Sequence, residues 1–467
     1  MHTHRVLKFL VAVIILAGCA TQNRPVEKSW FQFQPLTASA YLAPGTDTPS
    51  PAELDLTPWM LPAGFTQSII MDETRLDIYK ATLCTQLRDS HFALGADWPD
   101  MITLNETGDD LRRYLYRTHE IRPFLYDPKC AVGAVPEDAK QRFAEAGGGA
   151  ISVVDLVTGE ARVLLQRRDL EALDGLVWTP WGTLLFAEEV IESEMADPDM
   201  PQTTSGLVYE ATLDPADPGK LQSLHVRPLL GSLAHEGLKI DTDGNVYVID
   251  ENKLGSIYRF VPQRRGDLSA GQLYALKVDG GKQTGAATWA ALDMEQAQRS
   301  ARDAAKLVGA TTYCRPEDIE HISGTLYVAT TCEDIADARK EKGSGAVLAI
   351  QLRDRPLVSY FVSAGINAPT EDAKRGVTGF KNPDNLASGP DGQLWIAEDN
   401  VPSDIWVAEP DRNGDGHADA LHLFASLKDP WAEGTGLYFR RDQATLYVNV
   451  QHSRTGNDKT VAITRKD

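Results

Sequence analysis

The chain has 467 residues, 42% hydrophobic and 24% charged, enough to bury a large core, which excludes global disorder. Its 66 acidic residues against 46 Lys plus Arg leave a formal net charge of −20. Such a surface repels nucleic acid and other polyanions, so a phosphate-bearing ligand needs locally bound cations.

The first 20 residues, MHTHRVLKFLVAVIILAGCA, join a basic start (Arg5, Lys8) to an apolar run from Phe9 to Ala17 and small residues, the pattern of a secretory signal. LAGC, Leu16 to Cys19, resembles a bacterial lipobox, so cleavage before Cys19 and lipid attachment at its thiol are expected. The expected location is the cell envelope, lipid-anchored, with the outer membrane favoured because Ala20 is not Asp. Residues 20–58 are rich in Pro, Ser and Thr and read as a tether, and 59–467 as one domain.

From LPAGFTQSII onward, short apolar runs alternate with Gly, Asp and Pro turns, which predicts strands. The best helical pattern is Met294 to Val308. One unit recurs as DGLVWTPWGTLLFAEEV, EGLKIDTDGNVYVIDEN, EDIEHISGTLYVATTCED, DNLASGPDGQLWIAEDN and, more weakly, TGLYFRRDQATLYVNVQH: a strand, a turn, and a strand. Repeated strand units without intervening helices predict an all-β propeller with long inter-blade insertions. Equivalent positions then form rings about a central channel. Asp174, Glu236, Glu317 and Asp384 share one position; Glu189, Glu251 and Asp399 lie seven residues beyond Gly182, Gly244 and Gly392. Asp250 adjoins the second set, and Thr331 and Gln451 replace its acids in the other two units. Carboxylates crowded at one mouth need cations to stay ionised, and an oxygen-rich donor set suits hard ions, Ca²⁺ above all. The competing reading is that each acid caps its own turn.

The stretch DRNGDGHAD places Asp411, Asn413, Asp415 and Asp419 at positions 1, 3, 5 and 9 of an EF-hand-type loop, with His422 at position 12 in place of Glu. It is expected to hold a structural Ca²⁺ remote from any chemistry. Beyond Cys19, four cysteines remain: Cys84, Cys130, Cys314 and Cys332. Cys314 and Cys332 flank one strand pair and are candidates to close it as a disulfide; four buried thiols are the alternative, and no CxxC supports zinc. There is no GxSxG, P-loop, GxGxxG after a strand, or HExxH.

TPWGTLLFAEEV (Thr179 to Val190), HEGLKIDTDGNVYVIDEN, IYRFVPQRRGDLSAGQLYALKVDG (Ile257 to Gly280), CRPEDIE (Cys314 to Glu320), NPDNLASGPDGQLWIAEDN and TLYVNVQHS (Thr445 to Ser453) resemble the PhoX-type alkaline phosphatases, in the family's order from about residue 100 to the C-terminus. The resemblance implies a six-bladed propeller with iron and calcium at one mouth, hydrolysing phosphomonoesters outside the inner membrane. It implies that Glu236 and Glu317 bind the catalytic metals, that Arg315 binds substrate phosphate, and that Glu188, Glu189 and Asp399 belong to a calcium set. Asn105 and Glu106 resemble an early acidic motif of the family. The sequence departs from that pattern where the family carries cysteines, since Asp174 and Ala187 stand there, and this removes the thiolate expected of an iron centre. Two expectations follow: a metal-dependent phosphomonoesterase acting on a small phosphorylated substrate, or a calcium-stabilised, non-catalytic propeller binding a ligand or envelope partner.

Overall fold

In the computed structural model the described residues are 32–40, 49–76, 98–121, 148–193, 196–331, 345–370, 378–440 and 444–466. The recurring strand–turn–strand units become antiparallel meanders, because short β-rich runs separated by tight Gly and Asp turns pair with their immediate neighbours. The first sheet holds Pro99–Leu104, Tyr114–His119, Ala150–Asp155 and Ala161–Gln166, and the second Leu173–Trp178, Leu184–Glu188, Val208–Asp214 and Asp217–Val226. The third begins Leu238–Ile240, Val246–Ile249, Ile257–Pro262 and Gly271–Val278; the fourth is Pro316–Ile322, Thr325–Thr330, Ala346–Gln351 and Leu357–Ser363. Gly285–Ala291 links these two edge to edge. The fifth runs Pro383–Ser388, Leu394–Glu398, Asp404–Ala408 and Leu421–Leu427, and the sixth Glu433–Arg440, Thr445–Gln451 and Lys459–Arg465.

The first strands of these meanders touch in cyclic order, each meeting the next and the sixth meeting the first. This is the arrangement of a β-propeller around a central channel. Its core lies between sheets, for example where Trp395, Phe424 and Phe439 interlock across the fifth and sixth. Closure uses the N-terminal part of the chain: Phe65–Asp72 completes the sixth sheet by pairing with Lys459–Arg465, and Trp59–Met60 extends the fifth.

The segment expected as a tether behaves differently where it is described. Leu36 donates its amide to the Leu423 carbonyl, Ser39 Oγ donates to Asp404 Oδ2 at 2.6 Å, and Phe33 packs edge-on against Phe65 and Phe424. The helix Pro51–Leu56, capped by Ser50, buries Leu54 and sets Asp55 against the fully buried Lys459 ammonium at 2.7 Å. Scattered apolar residues in a Pro- and Ser-rich stretch are enough to dock it once a complementary surface exists. Residues 1–31, which contain the signal-like segment and Cys19, lie outside the described residues. No helix among the described residues is long and apolar enough to cross a membrane.

The helix Met294–Val308 forms with the expected bounds, Asp293 capping its N-terminus through the Gln296 amide and Gly309 closing it at φ +65°. It is interrupted at Ser300, where the Ser232 backbone enters the ladder, donating to the Ala297 carbonyl and accepting from the Ala301 amide. That insertion anchors residues 231–236, the approach to Glu236.

Candidate metal centre

Five triplets occupy one structural position at the head of the first strands: 98–100, 172–174, 234–236, 315–317 and 382–384. In each, the carbonyl of the first residue (Trp98, Ala172, Ala234, Arg315, Asn382) accepts the amide just beyond the second strand, from Glu120, Glu189, Glu251, Thr331 and Asp399, at 2.8 to 3.1 Å. The third residue is always acidic: Asp100, Asp174, Glu236, Glu317 and Asp384. Trp98, Ala172, Arg315 and Asn382 adopt left-handed backbone, φ +42° to +44°. The pairing register then slips between Pro99 and Ile102, Leu173 and Leu176, Pro316 and Ile319, and Pro383 and Leu386. A bulge breaks the in-out alternation and re-aims a side chain, here at the acid it contains.

The acids gather in two groups. Carboxylate oxygens of Glu236, Glu317 and Asp384 lie within 4.8 Å of one another, as do those of Asp100, Glu120 and Asp174. Asp174 closes the second triad, and its charge still bears on Glu236 of the first. Most of these groups are buried, and among the described residues Asp100 Oδ1, Asp174 Oδ1 and Glu317 Oε1 have no hydrogen-bond partner, Glu317 Oε1 having only the ion pair with Arg315. Burial raises the affinity of Asp100, Asp174, Glu236, Glu251, Asp384 and Glu433 for protons, and their carboxylate neighbours raise it further. Buried, crowded and partly unpartnered carboxylates are what a bound cation compensates, and an all-oxygen donor set fits a hard one.

Arg315 is the cation of this mouth. Its Nε donates to Glu251 Oε1 at 2.6 Å and lies 3.4 Å from Glu317 Oε1; its side chain is 39% exposed, and among the described residues its two terminal nitrogens make no hydrogen bond. Glu189 and Asp399 sit beside this set, Glu189 next to Glu251 and Asp399 next to Glu433, and they raise the affinity of Glu251 and Glu433 for protons. His452 is 3.6 Å from Glu433, and Gln451 Nε2 donates to Glu120 Oε2 at 2.7 Å.

Glu188 and Asp250 point elsewhere. They precede Glu189 and Glu251, and adjacent residues at a strand end face opposite sides. Glu188 accepts the amides of Glu171 and Leu207 at 2.9 and 3.0 Å, and burial pushes it up to about 8. Asp250 is clamped by Arg302 of the helix Met294–Val308, through Nε at 2.7 Å and Nη2 at 2.5 Å. Replacing Asp250 with alanine is expected to cost about 3 kcal/mol, as for a broken buried pair, with calcium content unchanged; denaturation and elemental analysis check it.

In the exposed loop, Asp411 accepts the amides of Gly414, Asp415 and Gly416, Asn413 that of Asp415, Asp415 that of His417, and Asp419 that of Arg412. These oxygens brace the loop through its own amides. Cys314 is disulfide-bonded, whereas Cys332 lies outside the described residues. Ala187 is buried in the apolar core between the second and third sheets. His235 is buried and bonds the Gly231 carbonyl at 3.0 Å through Nε2, and burial lowers its affinity for protons to about 4. Asn105 and Glu106 lie at the other end of the first strand, where Glu106 pairs with Arg112 and Tyr438 and borders a separate cavity of ≈ 320 Å³.

Sequence reasoning missed Asp100, Glu120 and Glu433. Trp98-Pro99-Asp100 repeats the pattern of Arg315-Pro316-Glu317 and Asn382-Pro383-Asp384, so a search for that triplet finds the first sheet. Glu120 then follows from its place in the ring of Glu189 and Asp399.

Comparison with known proteins agrees with this architecture. The family model described as "Alkaline phosphatase PhoX" matches residues 177–454, more than half of the 467. Among solved structures, the chain is similar to Pseudomonas fluorescens PhoX in complex with vanadate, a transition-state analogue, at 20% identity and a TM-score of 0.62, over 93% of this chain and 98% of that chain. Lesser likenesses are a gluconolactonase of Xanthomonas campestris (12% identity, TM-score 0.41, 93% and 98% covered) and a calcium structure of a carbohydrate-active enzyme of family AA12 from Trichoderma reesei (11%, 0.42, 88% and 98%). No curated protein sequence matches. With the matched region running from within the second sheet into the sixth and containing Glu236, Glu317 and Asp384 with Glu189, Glu251 and Asp399, the chain belongs to the alkaline phosphatase PhoX family.

Proposed function

We propose that this protein is an exported, lipid-anchored phosphomonoesterase of the cell envelope, with the outer membrane favoured, acting on small phosphorylated substrates through a carboxylate-held metal centre. The observation that carries the reading is Arg315, a guanidinium with both terminal nitrogens unused, set among buried carboxylates with unpartnered oxygens. Glu236, Glu317 and Asp384 would hold one cation and Asp100, Glu120 and Asp174 another, with Glu189, Asp399 and Glu433 alongside. When bound, such cations polarise phosphoryl oxygens and offset the charge of the transition state.

The chain's own residues do the rest. Arg315 presents a planar fork matched to two phosphate oxygens and stabilises charge that grows during transfer. Burial of the acids keeps bulk water from competing, and the net charge of −20 disfavours polyanionic substrates and nucleic acid. Asp174 at a cysteine position of the family makes the donor set all oxygen, which favours Ca²⁺ over iron. That same residue supports a second reading, a calcium-stabilised propeller that binds a ligand or envelope partner without catalysis.

The test is phosphomonoester hydrolysis by protein lacking residues 1–19, stripped with chelator and reloaded with Ca²⁺, with or without iron. Activity restored by Ca²⁺ alone and lowered at least about a hundredfold in Arg315→Ala, the effect of losing a transition-state donor, is the expected result. Inactivity with every metal, while Ca²⁺ still raises the melting temperature, supports the second reading instead.

A further inference from the structure

The guanidinium of Arg315 is held across a sheet boundary. Arg315 heads the fourth sheet, and the loop that holds it belongs to the third. The Arg315 amide donates to the Asn252 carbonyl at 2.8 Å, and its Nε donates to Glu251 Oε1 at 2.6 Å, so consecutive residues of one loop grip both its backbone and its side chain. The contact continues through the Tyr313 amide on the Gly255 carbonyl at 2.7 Å. Gly255 is needed for this approach, since a Cβ there would meet the Asp250 carbonyl oxygen at 1.8 Å and Pro316 Cδ at 2.9 Å. Glu251 is buried yet belongs to neither carboxylate triad.

We infer that Glu251 is a positioning residue for Arg315 rather than a metal ligand, fixing the guanidinium by its Nε so that both terminal nitrogens face an incoming phosphate. A long arginine side chain has many rotamers to lose on binding, and anchoring its Nε removes much of that cost before the ligand arrives. The bond also sets the plane of the fork, on which two-point recognition of phosphate depends. The inference rests on Arg315 binding phosphate.

Inorganic phosphate serves as the probe, titrated calorimetrically into calcium-loaded wild type, Arg315→Ala, Glu251→Ala and Glu251→Gln, with calcium content and melting temperature measured on each. Glu251→Ala is expected to bind phosphate about tenfold more weakly, the loss of one charge-assisted hydrogen bond, with the wild-type complement of calcium. Glu251→Gln, whose amide oxygen still accepts from Nε, is expected to stay within about threefold of wild type, a rescue that a merely structural role would not produce. Loss of calcium from Glu251→Ala makes Glu251 a ligand and overturns the inference. So does wild-type affinity in Glu251→Ala, or equal weakening in Glu251→Gln, provided Arg315→Ala loses phosphate. If wild type fails to bind phosphate, or Arg315→Ala binds it equally well, the phosphate role of Arg315 falls first and the positioning role with it.

Discussion

Replacing Glu317 with alanine is expected to lower phosphomonoester kcat/KM by about a hundred- to a thousandfold, the range seen when a preorganised charge-stabilising group is removed, and to reduce bound calcium. Glu317 is 1% exposed, shares a triad with Glu236 and Asp384, and stands 3.4 Å from the guanidinium of Arg315. On the proposed function, the substitution would leave a cation with two carboxylates of three and change the charge around the Arg315 guanidinium. Glutamine at the same place keeps the volume and removes the charge, so it separates loss of metal from loss of packing: Glu317→Gln should melt near wild type while losing calcium and activity. Full calcium content and undiminished turnover in either variant would sink the assignment of this triad as the catalytic centre.

A second large effect concerns pH and metal together. Without cations, Asp100, Asp174, Glu236, Asp384 and Glu433 hold protons above the ordinary carboxylate values of 3.8 and 4.5, because burial and mutual repulsion disfavour their charged forms. The native state then binds more protons than the unfolded chain, so stability falls as pH rises, from the ordinary carboxylate range up through the raised values. Chelator-stripped protein is therefore expected to melt at a progressively lower temperature from pH 5 to pH 8. Calcium held by the ionised carboxylates, as proposed, would flatten that slope, because the native state would no longer keep the protons. Two sites, each at a hundred times its dissociation constant, would add about 5 kcal/mol of stability. Asp318 and Glu188, pushed by burial up to about 7 and 8, keep part of the slope when calcium is present. Calorimetric melting across pH, with and without calcium, decides it; a stripped protein that grows more stable toward pH 8 would contradict the crowded-carboxylate account.

Much of this was legible because propeller symmetry writes itself into sequence. Strand units at recurring positions identify blades, and an acid kept at one blade position identifies a ring before any coordinate is known, as for Glu236, Glu317 and Asp384. The one stretch read as a helix, Met294 to Val308, carried its own caps in Asp293 and Gly309, which are local signals. The first sheet was harder to read, because the glycine of its turn, Gly108, lies twelve residues before Glu120 and not seven as in the second to fifth sheets.

Composition and strand periodicity were enough for the fold class and the family, and for finding acids at repeated blade positions. These depend on local periodicity and residue type, which need no tertiary context. The tertiary structure alone decided the partners. Adjacent acids such as Glu188 and Glu189, or Asp250 and Glu251, are indistinguishable in composition, and only the turn of the strand end sends one to the channel and its neighbour to a backbone amide or to Arg302. Ring closure likewise joined Asp174 to Asp100 and Glu120, since which acids meet across a channel depends on the angles between sheets. The docking of residues 32–40 and 51–56 had the same origin: a short apolar stretch looks like linker until the surface that buries it has been assembled by residues hundreds of positions away.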